Sequence, residues 1–143
     1  MTDRGPQDPF AAVVSVYESI KRGDVESLLE AYADGYTLVS ELNPGELLEP
    51  ERAIVTRRSM PAQIADLEFS LEEVQTRLIG DGAALVVYRL SYKGILVYQY
   101  RFEGAFLEVE AIGTAVLVRE GERWRIVHEH LTPLTRTSDV TSR

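Results

Sequence analysis

Apolar positions recur along the first third of the chain at helical spacing. Phe10, Val13, Val14, Tyr17 and Ile20 lie three or four residues apart, behind Asp8-Pro9, an N-cap residue followed by a proline fit for the first helical position. Gly23 closes this predicted helix. Asp24 opens a second, with Val25, Leu28, Leu29 and Tyr32 turned inward and Gly35 placed to end it. Tyr36 to Leu42 is rich in β-formers and stops at the turn signal Asn43-Pro44-Gly45, so it reads as a strand. Glu49 to Met60 reads as a short third helix stopped by Pro61.

Beyond Ala65 the period changes to two. Leu67–Ile79, Ala83–Phe102, Phe106–Arg119 and Arg123–Leu131 are predicted strands, separated by Gly80-Asp81-Gly82, Glu103-Gly104 and Glu120-Gly121. The segment from Ala83 is long enough to bend, and Gly94 is where a bend is expected. Helices followed by a strand meander indicate an α+β fold, with helices packed on one face of a curved antiparallel sheet. A single domain over residues 8–134 is expected, with flexible tails at 1–7 and 135–143.

The last predicted hairpin carries the chemistry. In Trp124-Arg-Ile-Val-His-Glu-His-Leu-Thr-Pro133, the alternation puts Trp124, Ile126, His128 and His130 on one face. If Glu120-Gly121 is a two-residue turn, Trp124 faces Leu117, Ile126 faces Ala115, His128 faces Gly113 and His130 faces Ala111. Small residues opposite both imidazoles leave room for a ligand or for a closely packed helix. On this register His128 is expected to be buried and His130 to lie nearer a pocket mouth. The other face carries Val116, Val118, Arg123, Arg125, Val127 and Glu129, a pattern suited to a partly solvated surface or a subunit contact.

Composition narrows the partners. The formal charge is −8 and the pI about 4.8, whereas nucleic acid and anionic membranes call for a basic footprint. There is no cysteine, hence no disulfide, thiolate metal site or thiol nucleophile. The N-terminal residues lack an apolar signal-peptide core, and no apolar run is long enough to span a bilayer, so a cytoplasmic location is expected. No phosphate-cradling or nucleophile-elbow motif is present, and no cofactor or metal is expected.

The sequence Leu28-Leu29-Glu30-Ala31-Tyr32-Ala33-Asp34-Gly35-Tyr36-Thr37-Leu38, the four long strands and the terminal Gly-x-x-Trp-x-Ile-Val-His-Glu-His-Leu-Thr-Pro carry a resemblance over about residues 8–134. The chain resembles the nuclear transport factor 2-like superfamily, in particular its SnoaL-like and ketosteroid-isomerase-like branch. Through the terminal strand it is also similar to the association domain of calmodulin-dependent protein kinase. The resemblance implies a cone-shaped, strongly curved sheet wrapped around about three N-terminal helices, a pocket at the open end, and a homodimer formed through the sheet. It does not fix a reaction, because that fold hosts isomerases, cyclases, dehydratases, epoxide hydrolases and non-catalytic binders.

Residue by residue, the position of the ketosteroid isomerases' aspartate base falls at about Ser40, with Glu41 beside it. Tyr17 is the nearest counterpart of their oxyanion-hole tyrosine, and their second donor has no match. Ketosteroid isomerase activity itself is therefore not expected. Candidate catalytic residues are His128 and His130, as acid and base or as groups orienting a carbonyl, and Tyr17 as a donor. Both histidines also fit core or rim positions hydrogen-bonded to tyrosine or backbone, and a metal site lacks a third, acidic ligand. Candidate pocket residues are Tyr36, Ser40, Tyr88, Tyr98, Gly113 and Trp124. Glu41, Glu108 and Glu110 are candidate bases only if they face inward. The leading expectation is cofactor-independent acid–base catalysis (isomerisation, cyclisation or dehydration) on a small, apolar, polyketide-like molecule. The competing one is a non-catalytic ligand-binding or dimerisation module.

Overall fold

The computed structural model describes residues 8–97 and 105–140, with side chains described as far as residue 134. Helix α1 (Pro9–Arg22) starts where the sequence predicts: the Asp8 carboxylate accepts from the Phe10 N–H at 2.9 Å. It ends at Gly23, whose φ of 70° is left-handed and lets its N–H reach the Ile20 carbonyl. Helix α2 (Val25–Ala31) is capped by Asp24, which accepts from the Ser27 N–H at 3.2 Å. It buries only Leu28 and stops four residues short of Gly35. Gly35 (φ 80°) instead forms an irregularity within strand β1 (Tyr32–Val39), between the points where Tyr32 and Thr37 pair with the last strand. The predicted third helix is split at Ser59 into α3 (Pro50–Arg58) and α4 (Met60–Gln63). Pro61 does not stop α4; it sits in its first turn, where the missing N–H would have no helical partner.

The remaining strands are β2 (Leu47–Leu48), β3 (Ile64–Ile79), β4 (Ala83–Leu96), β5 (Ala105–Glu120) and β6 (Arg123–Val140). They form one curved, unclosed sheet in the order β2-β1-β6-β5-β4-β3. Every pairing is antiparallel except β1 with β6, which is parallel. The helices pack on one face of this sheet. Strand β6 runs past the predicted end at Leu131, pairing as far as Ala105↔Val140, so residues 135–140 are strand rather than a loose tail.

Strand alternation supplies the core. On β4 the residues Ala84, Val86, Tyr88, Leu90 and Tyr92 point inward, and on β5 Leu107, Val109, Ala111, Gly113, Ala115 and Leu117 do so. They meet Val13, Val16, Tyr17 and Ile20 of α1.

The register of the last hairpin corrects the sequence reading. The turn lies at Gly121-Glu122, with Glu120 paired to Arg123 and Arg119 to Trp124. A bulge follows: Leu117 pairs with Ile126, but Val116 pairs with His128. One extra residue in β6 reverses the side to which the following side chains point, as far as a second register shift between Pro133 and Thr135. Trp124 and Ile126 therefore point inward, and beyond the bulge Glu129 and Leu131 take that role. Val127 and His128 are half-buried on the outer face, and His130 is exposed there. Gly113 faces Leu131 on one side and Tyr88 on the other, not His128.

Candidate functional site

The bulge delivers a carboxylate to the interior. Glu129 is fully buried and accepts three hydrogen bonds from phenols: Tyr88 at 2.6 Å, Tyr36 at 2.7 Å and Tyr17 at 2.9 Å. Each phenol comes from a different element, namely β4, β1 and α1. Burial pushes all three hydroxyls well above their usual pKa, and the Glu129 charge acts in the same direction. They are therefore held protonated, as donors aimed at one carboxylate.

A second polar group adjoins the first. β1 ends at Val39, and Ser40 to Asn43 form a turn in which the Asn43 N–H bonds the Ser40 carbonyl at 3.1 Å. Strand alternation no longer applies there, so the adjacent Ser40 and Glu41 are both buried. Glu41 meets Arg57 in a two-bond fork, Nη1 to Oε2 and Nη2 to Oε1, each 3.1 Å. Tyr92 donates to Glu41 Oε2 at 2.6 Å, while Ser40 Oγ accepts from the Leu42 N–H at 3.0 Å. Burial pushes the Glu41 carboxyl up, but Arg57 and the hydrogen bonds outweigh it and hold the group below its usual range. Arg57 is buried without exposure, and although burial disfavours its charge, Glu41 holds it protonated.

Tyr17 joins the two halves. Its Oη lies 3.4 Å from Arg57 Nη2, 3.2 Å from Tyr88 Oη and 2.9 Å from Glu129 Oε2. The interior thus contains two carboxyl groups, one guanidinium and four bonded phenols, a set whose desolvation would be costly in a purely structural core. Two buried donors in it have no partner among the described residues, Arg57 Nε and Tyr32 Oη. Tyr32 stacks on Tyr36 with ring centroids 3.8 Å apart.

The sequence candidates divide accordingly. Tyr17, Tyr36 and Tyr88 converge on one carboxylate, with Ser40 beside the second. Gly113 lies under Tyr88, where a Cβ would come 2.7 Å from Tyr88 Cζ. Trp124 is buried near the hairpin end with the Arg119 guanidinium over its ring at 5.9 Å. Tyr98 lies outside the described residues. The structure does not bring His128 and His130 to the interior. His128 Nδ1 instead lies 2.8 Å from Thr37 Oγ1 on the outer face, with His130 next to it, ring centroids 6.2 Å apart. Desolvation and the neighbouring His130 lower the His128 pKa from 6.5. Glu108 and Glu110 are exposed on the outer face.

Sequence reasoning missed Glu129 and Arg57. A signal for the first exists: the apolar positions of the last strand change from even (Trp124, Ile126) to odd (Leu131), as a bulge requires. A signal for the second is that Arg57 lies one turn on from Ala53, and these two are the fully buried residues of α3. Among the described residues, no three His, Cys, Asp or Glu converge as a metal-binding group. No described helix is long and apolar enough to cross a membrane.

Comparisons with known proteins agree with this architecture. The sequence model for the SnoaL-like domain matches residues 11–135. No curated protein matches the chain in sequence. A hexachlorocyclohexane dehydrochlorinase structure superposes with TM-score 0.73 at 10% identity, covering 92% of this chain and 89% of that one. A provisionally named dehydratase of the NTF2-like family from Streptomyces avermitilis gives 0.70 at 20% identity, covering 87% and 93%. A ketosteroid isomerase-like protein from Erwinia carotovora atroseptica gives 0.69 at 13%, covering 94% and 99%. Likeness at such identities establishes a shared fold.

Proposed function

The chain belongs to the SnoaL-like domain family of the nuclear transport factor 2-like superfamily, and from that premise we propose that it is a cofactor-independent acid–base enzyme. Its reaction would be an elimination or isomerisation of a small, largely apolar molecule. The observation that carries this reading is Glu129, a buried carboxylate held by three protonated phenols and set beside the Arg57–Glu41 pair. Buried titratable groups with specific charge partners are the usual equipment of proton transfer. Two of the superposed structures are named for eliminations, which points to the same class of chemistry.

In this mechanism a carbon acid displaces one phenol from Glu129. The C–H bond breaks and its proton passes to a Glu129 oxygen. Charge that develops on a neighbouring carbonyl oxygen accepts a hydrogen bond from Tyr17 or Tyr88, with Arg57 charged behind Tyr17. Return of the proton to another carbon completes an isomerisation. Its delivery to a departing β-hydroxyl, which leaves as water, completes a dehydration. His128 and His130, placed outside, take no part.

A homodimer through the outer sheet face fits the same reading. Leu85, Val87, Ile112, Val116, Val118 and Val127 are half-buried there, on the face opposite the described helices. The domain we assign is residues 8–134, together with the β6 extension to Val140. A second function, a binding or dimerisation module, is favoured by one observation: Tyr17, Tyr36, Tyr88 and Tyr92 are fully buried and fill the interior with satisfied hydroxyls.

A β-hydroxy ketone carrying one aromatic ring, incubated with the protein in heavy water, separates the two functions. NMR should show deuterium entering the α-carbon and water being lost, with Glu129→Gln slower by about 10²–10⁴-fold. Equal rates in both proteins would overturn the assignment of Glu129, and no exchange in either would favour the module.

A further inference from the structure

The polar interior is closed. Tyr17, Tyr36, Tyr88, Tyr92, Arg57, Glu41 and Glu129 are each exposed by 4% or less, so a ligand reaches the carboxylates only where something moves. One half-buried side chain touches both halves of the network. Phe69 of β3 packs edge-on against Tyr17 (centroids 5.1 Å, 64°) and against Tyr92 (5.4 Å, 66°). Tyr17 donates to Glu129 and Tyr92 to Glu41. On its outer side Phe69 lines a cleft of about 220 Å³ between α1 and β3, together with Val14, Tyr17, Glu18, Lys21 and Leu71.

We propose that this α1–β3 cleft is the route into the interior and the subsite for the apolar part of the ligand, with Phe69 as its gate. The proposal rests on the reading of the interior carboxylates as the reacting groups.

Three features support it. First, β3 is an edge strand, paired only with β4, and register irregularities flank the segment at Ala65/Glu68 and Glu73/Gln75. Asp66, just before it, holds a φ of 55° that a non-glycine residue rarely adopts. An edge segment between two irregularities has fewer bonds to release than a central strand. Second, the apolar walls and the phenol floor suit a ring, and an apolar cavity of about 150 Å³ is known to hold benzene. The cleft therefore takes one to two rings. Third, the rim carries both signs of charge: Glu18, Lys21, and Glu68, whose carboxylate lies 3.9 Å from Lys21 Nζ. A rim with one more carboxylate than ammonium disfavours an anion and admits a neutral molecule, and a hydroxyl or carbonyl on its leading edge would meet the phenols behind Phe69. Phe69 would then set which rings pass.

The full chain has no cysteine, so Leu71→Cys provides a single attachment point in the cleft. β-Naphthol, a neutral two-ring hydroxy compound, is the probe, followed by its own fluorescence. The unmodified protein should bind it saturably at one site per chain. Coupling N-phenylmaleimide to L71C should weaken binding by about tenfold or more, while a methylthio group on the same thiol should leave Kd within about threefold. Phe69→Ala should raise association and dissociation rates together by about tenfold, as removal of a gate does. Absence of saturable naphthol binding overturns the proposal, whatever the proton-transfer assay gives. Undiminished binding by folded, phenylmaleimide-modified L71C overturns it too. If Glu129→Gln weakens naphthol binding while that modification does not, the cleft assignment falls and the reading of the interior stands.

Discussion

Gly113 and Tyr88 are cross-strand partners, and the tyrosine ring occupies the space a side chain at 113 would fill. A Cβ built on Gly113 comes 2.7 Å from Tyr88 Cζ and 2.9 Å from its Oη. The glycine therefore makes room for a phenol that donates to Glu129. Gly113→Ala should cost about 1–3 kcal/mol through overpacking and displace Tyr88 from the carboxylate. Chemical denaturation measures the first effect, and the proton-exchange assay measures the second.

The Arg57–Glu41 pair is buried on both sides, so removing one partner leaves an uncompensated charge. Glu41→Gln should destabilise the fold by about 3–5 kcal/mol. Adding Arg57→Met should recover a large part of that loss, because the stranded guanidinium is gone. A double-mutant cycle in urea checks the coupling. The Glu41 carboxyl is held below its ordinary value of 4.5 when folded. Its contribution is thus complete above that value and lost as pH falls through the lower, folded value. Glu41→Gln should lack this portion of the acid-side decline.

His128 also titrates at a lower pH in the fold than its ordinary 6.5, first through desolvation and then through His130. The unfolded chain consequently binds more protons, so stability is complete above 6.5 and declines as pH falls through the folded value. His128→Gln should flatten the melting temperature over that window and leave proton-transfer activity near that of the unmodified protein.

Two stacked tyrosines should respond oppositely. The Tyr36 hydroxyl donates to Glu129 at 2.7 Å, whereas the Tyr32 hydroxyl is buried with no well-formed hydrogen bond among the described residues. Tyr36→Phe should cost about 1.5–3 kcal/mol, the worth of a hydrogen bond to a charged group. Tyr32→Phe should be neutral or stabilising, because it removes a desolvated hydroxyl. Thermal melts of the two variants, run side by side, decide the point.

Much of this protein is determined locally and can be read from the chain. Asp8-Pro9, Gly23 and Asp24 set the bounds of α1 and the start of α2, because caps satisfy helix ends within a few residues. The period-two runs yield the long strands, and Tyr17, Tyr36 and Tyr88 were identifiable as interior phenols. Tertiary structure decided the rest. Gly35 looks like a helix stop, but pairing of Tyr32 with Ile126 draws the chain into a strand before it. Ser40 and Glu41 both turn inward because β1 ends at Val39. The largest change is the extra residue in β6 between Ile126 and His128, which sends Glu129 inward and both histidines out. Strand alternation has memory only along an unbroken ladder, and where the ladder slips is decided by the neighbouring strand and by what the core can hold. Here the core holds a carboxylate because three phenols from distant parts of the chain donate to it; the parity change in the last strand marks the bulge, but which groups meet behind it is decided by contacts that no local pattern contains.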